Sequence, residues 1–175
     1  TITQQTAKLL CLGRAFETKV WKSERHYERN CRRTTLWRKI KEATFALALE
    51  YKFTKDEILT IYLNRAFLGA GSRGFEAASQ RYFGKSASEV NAAESAMLAG
   101  LLKAPSRLAP TDNLSGAQAR AAVVIDIMQD QNYLATEQAI YAKQNPATLS
   151  KAATARAGGY FADWIMASAP DYLTR

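Results

Sequence analysis

Thr54 is followed three residues later by Glu57, and Asn91 by Glu94, each pair just ahead of an apolar run at helical spacing. A hydroxyl or amide at the N-cap and a carboxylate at the third helical position satisfy two orphan backbone N–H groups at once, so such pairs mark helix starts. Ile58, Ile61, Tyr62 and Phe67 follow the first pair, and Met97, Leu98, Leu101 and Leu102 follow the second. Gly69, Gly71 and Gly74 interrupt the pattern, and a short helix is expected to run on to Gly84, a suitable C-terminal cap. Pro105 and Pro110 impose a loop. Val123, Val124, Ile127 and Met128 mark another helix, and a short one from Thr136 should end before Pro146. No strand-like alternation lasts beyond a few residues and no internal repeat is present, so the chain reads as all-α.

The helix expected from Thr35 to Tyr51 carries the most chemistry. At 100° per residue Leu36, Ile40, Ala43 and Leu47 share one stripe, which is expected to be buried. Glu42 lies on another face, with Arg38 one turn before it and Phe45, Ala46 and Leu49 about one turn after. From Ala43 to Leu49 the helix is apolar nearly all round, a pattern of burial on several sides. Glu42 is therefore expected at the edge of an open groove, among Arg38, Lys39 and Lys41. The plainer alternative is a surface ion pair with Arg38 or Lys39.

At 175 residues the chain is long enough for one domain with its own core. Its net charge of +8 is confined to residues 1–41, which hold eleven Lys and Arg against Glu17, Glu24 and Glu28. The remainder sums to zero. A localised cationic patch fits phosphate, nucleic acid or anionic lipid as partner, or else a solvated basic surface. No apolar run approaches the roughly 18 residues of a membrane span. Two cysteines and one histidine, His26, make no zinc ligand set. Cys11 and Cys31 could be joined in an oxidising compartment or remain two thiols, and both readings stay open. The polar string Thr1-Ile2-Thr3-Gln4-Gln5 at the very start reads as a functional sequence cut in its middle.

At this point the residues resemble a known family, the peptidoglycan glycosyltransferases, which form the polymerising domain of class A penicillin-binding proteins. Thr1-Ile-Thr-Gln-Gln with Lys8 is similar to the family's second motif, and Arg38-Lys39-x-x-Glu42 to its third. The fourth is resembled by Lys55-x-Glu57-Ile58-Leu59 through Tyr62-Leu63-Asn64, then Gly69, Gly74, Ala77-Ala78 and Tyr82-Phe83-Gly84-Lys85. The fifth is resembled by Ala93-Glu94 through Gly100-Leu101 and then Ala104-Pro105-Ser106. These stretches run in the family's order.

The resemblance implies an all-helical, lysozyme-like fold on the outer face of the bacterial cytoplasmic membrane. It implies polymerisation of lipid II into glycan strands by inverting glycosyl transfer, with undecaprenyl diphosphate leaving. An oxocarbenium-like transition state with a departing diphosphate needs positive charge aimed at the phosphates. Lys8 and Lys41 match positions the family uses for this, and Arg33 matches a further arginine after a one-residue shift. Glu42 matches a catalytic glutamate at the donor and diphosphate end. Thr3, Gln4 and Gln5 would line the cleft, with Arg38 and Lys39 beside Glu42. The resemblance requires no cofactor and leaves a divalent cation, magnesium, open.

It further implies residues 1–150 as the glycosyltransferase domain lacking its first motif. Residues 151–175, with Gly158-Gly159 ahead of Tyr160, Phe161, Trp164 and Ile165, would connect to an absent C-terminal, transpeptidase-like domain. A transmembrane anchor would also lie outside the chain. The first motif carries the general base, so the chain by itself is expected not to polymerise. The stretch from Cys11 to Arg33 is longer than usual, and its mixing of Trp21 and Tyr27 with Lys19, Lys22, Arg25, Arg29, Arg32 and Arg33 suits an interface with anionic headgroups or a solvated loop. Three other readings compete: a lysozyme-like glycoside hydrolase, a non-catalytic fragment that binds the cell-wall precursor, and a nucleic-acid-binding helical module. The last is disfavoured because the most specific stretches lie in the electrically neutral part, so nucleic acid is not expected as a partner.

Overall fold

The computed structural model describes residues 1–13, 17, 19–20, 23, 27, 30–31 and 35–156. Among them the secondary structure is helical, with a lone antiparallel bridge between Phe67 and Arg73. The chain divides into two units, Thr1–Ala66 and Phe67–Arg175, each described by itself.

The first unit holds α1 (Ile2–Leu9), α2 (Leu36–Lys52) and α3 (Lys55–Arg65). Thr35 caps α2 by accepting from the Arg38 N–H, and the expected Thr54–Glu57 box opens α3. α1 docks through small side chains, Thr3, Thr6 and Ala7, which let the helix backbones approach closely. Its partners are Ala46 and Leu49 of α2 and Ile58 of α3, with Leu10, Leu12, Phe45 and Phe53 packed around them.

This packing reverses the expectation for α2. The stripe of Leu36, Ile40 and Leu47 lies open at 87%, 53% and 69% exposure, and Ala43 is only half-buried. The buried face is instead the one bearing Glu42, Ala46 and Leu49. Both faces carry apolar residues, so periodicity does not choose between them. The choice falls to the face whose small Ala46 and long Arg38 and Glu50 side chains fit and bond to neighbouring segments. The predicted burial of the 43–49 stretch on several sides is likewise corrected to burial on one.

The second unit is built on α5 (Ala92–Leu101), opened by the Asn91–Glu94 capping box. Ala93, Ala96, Met97, Leu98 and Leu101 are buried, packed against Ala117, Ala121 and Ile125 of α6 (Leu114–Asp130). α4 (Phe75–Phe83) ends at Gly84 in a left-handed cap, as expected, and sends Tyr82 into the same core. The Tyr82 hydroxyl donates to the Leu68 carbonyl at 2.8 Å, and burial pushes its pKa to about 12. α7 (Thr136–Gln144) and the short α8 (Lys151–Arg156) complete the unit. The expected Gly158–Ile165 connector lies outside the described residues.

Candidate active site

Thr3 and Glu50 fix the direction of α1 on α2. The Thr3 hydroxyl donates to Glu50 Oε1 at 2.6 Å, so the start of α1 meets the end of α2. The other end is closed by a disulfide between Cys11, just after α1, and Cys31, whose carbonyl accepts from Arg38 Nη1 at 3.0 Å. The helices are therefore antiparallel, and stepping about two turns along each from Thr3 and Glu50 brings Glu42 level with the end of α1. The disulfide resolves the choice left open between a bond and two thiols.

Glu42 is buried, with 7% of its surface exposed. Arg38 Nη2 stands 3.1 Å from its Oε2, an i,i+4 ion pair that the surrounding helices shield from water. The pair matches the plainer reading in its partner but not in its setting, since it is buried and not at the surface. Its geometry is that of an ion pair without a formed hydrogen bond: among the described residues Glu42 Oε2 and Arg38 Nε have no hydrogen-bond partner. Glu42 so keeps acceptor capacity in a place of low dielectric.

The other predicted residues divide into two groups. Lys8, in the last turn of α1, and Lys39 and Lys41 on α2 are exposed, and Lys41 Nζ lies 5.8 Å from the centre of the Trp37 ring. No ion pair or hydrogen bond joins these three lysines to Glu42 among the described residues. Thr3, Gln4 and Gln5 are engaged in structure. Thr3 is tied to Glu50, Gln4 closes a capping box with Thr1, and Gln5 Oε1 accepts from the Tyr62 hydroxyl of α3 at 3.0 Å. Arg33 lies outside the described residues, as do Trp21, Lys22, Arg25, Arg29 and Arg32.

Sequence reasoning passed over Glu50. Lys55 Nζ stands 2.7 Å from its Oε1, and this bond, with that from Thr3, holds its carboxyl below the ordinary value. Glu50 thus joins all three helices of the unit. Its spacing of eight from Glu42, on the same helical face, was the available signal. Tyr62 was placed in a helix but not at the α1 contact, where burial raises its phenol pKa. Among the described residues no group of three or more His, Cys, Asp or Glu gathers where it could hold a metal ion. Glu42 is paired with Arg38, and Glu50 with Lys55 and Thr3.

The family model described as Transglycosylase matches residues 1–129. Penicillin-binding protein 1A of Aquifex aeolicus is 39% identical over 165 residues, which cover 94% of this chain and 20% of that protein. Penicillin-binding protein 1A of Escherichia coli is 45% identical over 104 residues, 59% of this chain and 12% of the relative. The crystal structure of penicillin-binding protein 1A from Haemophilus influenzae matches with a TM-score of 0.54 and 44% identity, over 60% of this chain and 16% of the other. The chain thus spans 20% or less of the length of these relatives. Both the all-helical fold and the match over residues 1–129 lead to one conclusion: this chain belongs to the transglycosylase family.

Proposed function

We propose that this chain carries the donor-side machinery of a peptidoglycan glycosyltransferase that polymerises lipid II. The observation that carries the reading is the buried Glu42, paired with Arg38 beside the end of a helix that bears Lys8. In the reaction an acceptor hydroxyl attacks the donor's anomeric carbon from the face opposite the diphosphate. The carbon–oxygen bond to the phosphate breaks, and the leaving undecaprenyl diphosphate keeps the electron pair. Charge builds on the phosphate oxygens as the sugar becomes oxocarbenium-like. Lys8, Lys41 and Arg33 answer the first change and the Glu42 carboxylate the second. Arg38 holds that carboxylate in place, Lys39 adds charge, and Thr3, Gln4 and Gln5 form the cleft wall. Their engagement with Glu50, Thr1 and Tyr62 supports a wall role for these three.

A glycoside hydrolase, which has no diphosphate to release, is disfavoured by the cationic residues Arg38, Lys39 and Lys41 on the helix that carries Glu42. Such enzymes need a second carboxylate about 5–10 Å from the first. Glu50, eight residues along the same helix, is roughly 12 Å up the axis and already committed to Lys55 and Thr3. Residues 1–150 are read as the glycosyltransferase domain and 151–175 as a connector. In this reading the whole protein works at the outer face of the cytoplasmic membrane, with an anchor and a transpeptidase-like domain beyond this chain. Among the described residues no helix is long and apolar enough to cross a membrane. Its partners are lipid II, the growing glycan strand and the membrane surface.

The test is a radiolabelled lipid II assay on the full-length protein. Glu42→Gln should lower glycan-strand formation by about 10²-fold or more while the far-UV helical signal is kept. A rate near that of the parent would reduce Glu42 to a structural ion-pair partner and overturn the reading.

A further inference from the structure

We propose that the Cys11–Cys31 disulfide is a positioning clasp that holds the Arg38 guanidinium, and through it Glu42, in working geometry. The proposal rests on the reading of Glu42 and Arg38 as parts of the transfer site. Arg38 is held at two points: Nη1 donates to the Cys31 carbonyl at 3.0 Å, and Nη2 faces Glu42 Oε2 at 3.1 Å. Among the described residues its Nε is buried without a partner, so the orientation of the planar group rests on those two contacts. One of them is a backbone carbonyl seven residues upstream, on a segment that the disulfide fastens to the end of α1.

The fastening point is itself unusual. Cys11, Leu12 and Gly13 have φ of 53°, 57° and 75°, three consecutive left-handed residues of which two carry a Cβ. Such a turn is unfavourable for L-residues and persists where its surroundings over-determine it. Three things do so here. Leu12 packs into the cluster of Ala7, Ala46, Leu49 and Ile58, and a Cβ at Gly13 would stand 2.9 Å from Phe45 Cε2, three residues beyond Glu42. The third restraint is the disulfide, with Cα atoms 5.2 Å apart. The turn is thus pressed onto α2 beside the carboxylate, and the sulfur bridge carries that placement across to the carbonyl that Arg38 needs. An oxidising compartment, as proposed for this protein, is where such a bond persists.

Opening the clasp needs a dithiol. Dithiothreitol gives two electrons and two protons to the Cys11–Cys31 bond, leaving two thiols, and closes to its own cyclic disulfide. Cys31 is then free to move, Arg38 loses its fixed acceptor, and Glu42 its oriented partner.

The experiment uses the full-length protein in oxidised and dithiothreitol-reduced form, beside the double variant Cys11→Ser/Cys31→Ser. Arginine modification by phenylglyoxal is mapped by peptide mass spectrometry, with exposed Arg107 as the reference. Lipid II polymerisation is followed in parallel. In the oxidised protein the two cysteines should appear as one linked peptide pair and Arg38 should be protected. Reduction should raise Arg38 modification relative to Arg107 by about tenfold, the signature of local opening. It should also lower kcat by about tenfold or more with a smaller change in KM, because a group displaced by 1 Å costs chemistry more than binding. The double variant should match the reduced protein, and if it fails to fold, the reduced parent still decides the matter. Unlinked cysteines in the oxidised protein, or equal protection of Arg38 in both states, would overturn the clasp. So would release of Arg38 with no change in rate. Release of Arg38 on reduction in a protein that forms no strands in either state would leave the clasp standing and remove the transferase reading.

Discussion

Arg38 and Glu42 are the residues on which stability and the proposed chemistry meet. Because both side chains are nearly shielded from water, removing one strands the other charge. Arg38→Met should therefore destabilise the fold by about 3–5 kcal/mol in chemical denaturation. Adding Glu42→Gln to that variant should recover part of the loss, and a strictly additive double variant would show that the two are not coupled. Glu76 offers a pH test. The Ala87 N–H, Gln80 and Ser86 donate to it at 2.8, 3.0 and 3.2 Å, and these bonds hold its carboxyl below the ordinary 4.5. A lowered folded-state value means stabilisation that is present above the unfolded value and lost as pH falls through the folded one. The thermal midpoint of Glu76→Gln should accordingly fall less than the parent's between about pH 5 and pH 3. Parallel curves would remove Glu76 from the acid response.

At the scale of elements, the glycine loop between α3 and α4 separates two reasons for glycine. Gly69 and Gly71 have φ of 85° and 77°, so a side chain at either is strained. A Cβ at Gly69 would also collide with the Pro105 carbonyl, whereas one at Gly71 meets open space. Gly71→Ala should cost about 1–2 kcal/mol and Gly69→Ala clearly more, measured by urea denaturation. Equal costs would show that the loop yields freely to the added methyl. This loop was legible as an interruption because glycines mark left-handed backbone wherever they cluster. Its contact with Pro105, some thirty-five residues on, was not.

For the whole molecule, the placement of charge predicts behaviour that no single contact does. The +8 excess sits within residues 1–41, together with Lys8, Lys39 and Lys41 on exposed helix faces. Diphosphate recognition by such a surface weakens with salt, as the Debye length falls from about 10 Å at 0.1 M to 3 Å at 1 M. Calorimetry with a soluble prenyl diphosphate should show severalfold weaker binding across that range, and Lys8→Ala or Lys41→Ala should each flatten the dependence. Binding by Lys8→Ala equal to the parent at every salt concentration would contradict the diphosphate role.

The amino-acid sequence by itself determined where helices begin and end, because capping is local: Thr54 with Glu57, Asn91 with Glu94, and Gly84 each act within a few residues of their partners. It also carried the ordered motifs that identify the family, and the i,i+4 spacing that pairs Arg38 with Glu42. It did not determine which face of α2 is buried. That helix offers two apolar faces, and the choice depends on Thr3, Ala7 and Ile58, segments remote in the chain that bring small or complementary surfaces to Ala46 and Leu49. The same physics hid the junction at Glu50 and the bond between Cys11 and Cys31. Local hydrogen bonds are written in neighbouring letters, whereas burial and pairing across the chain exist only once the helices have docked.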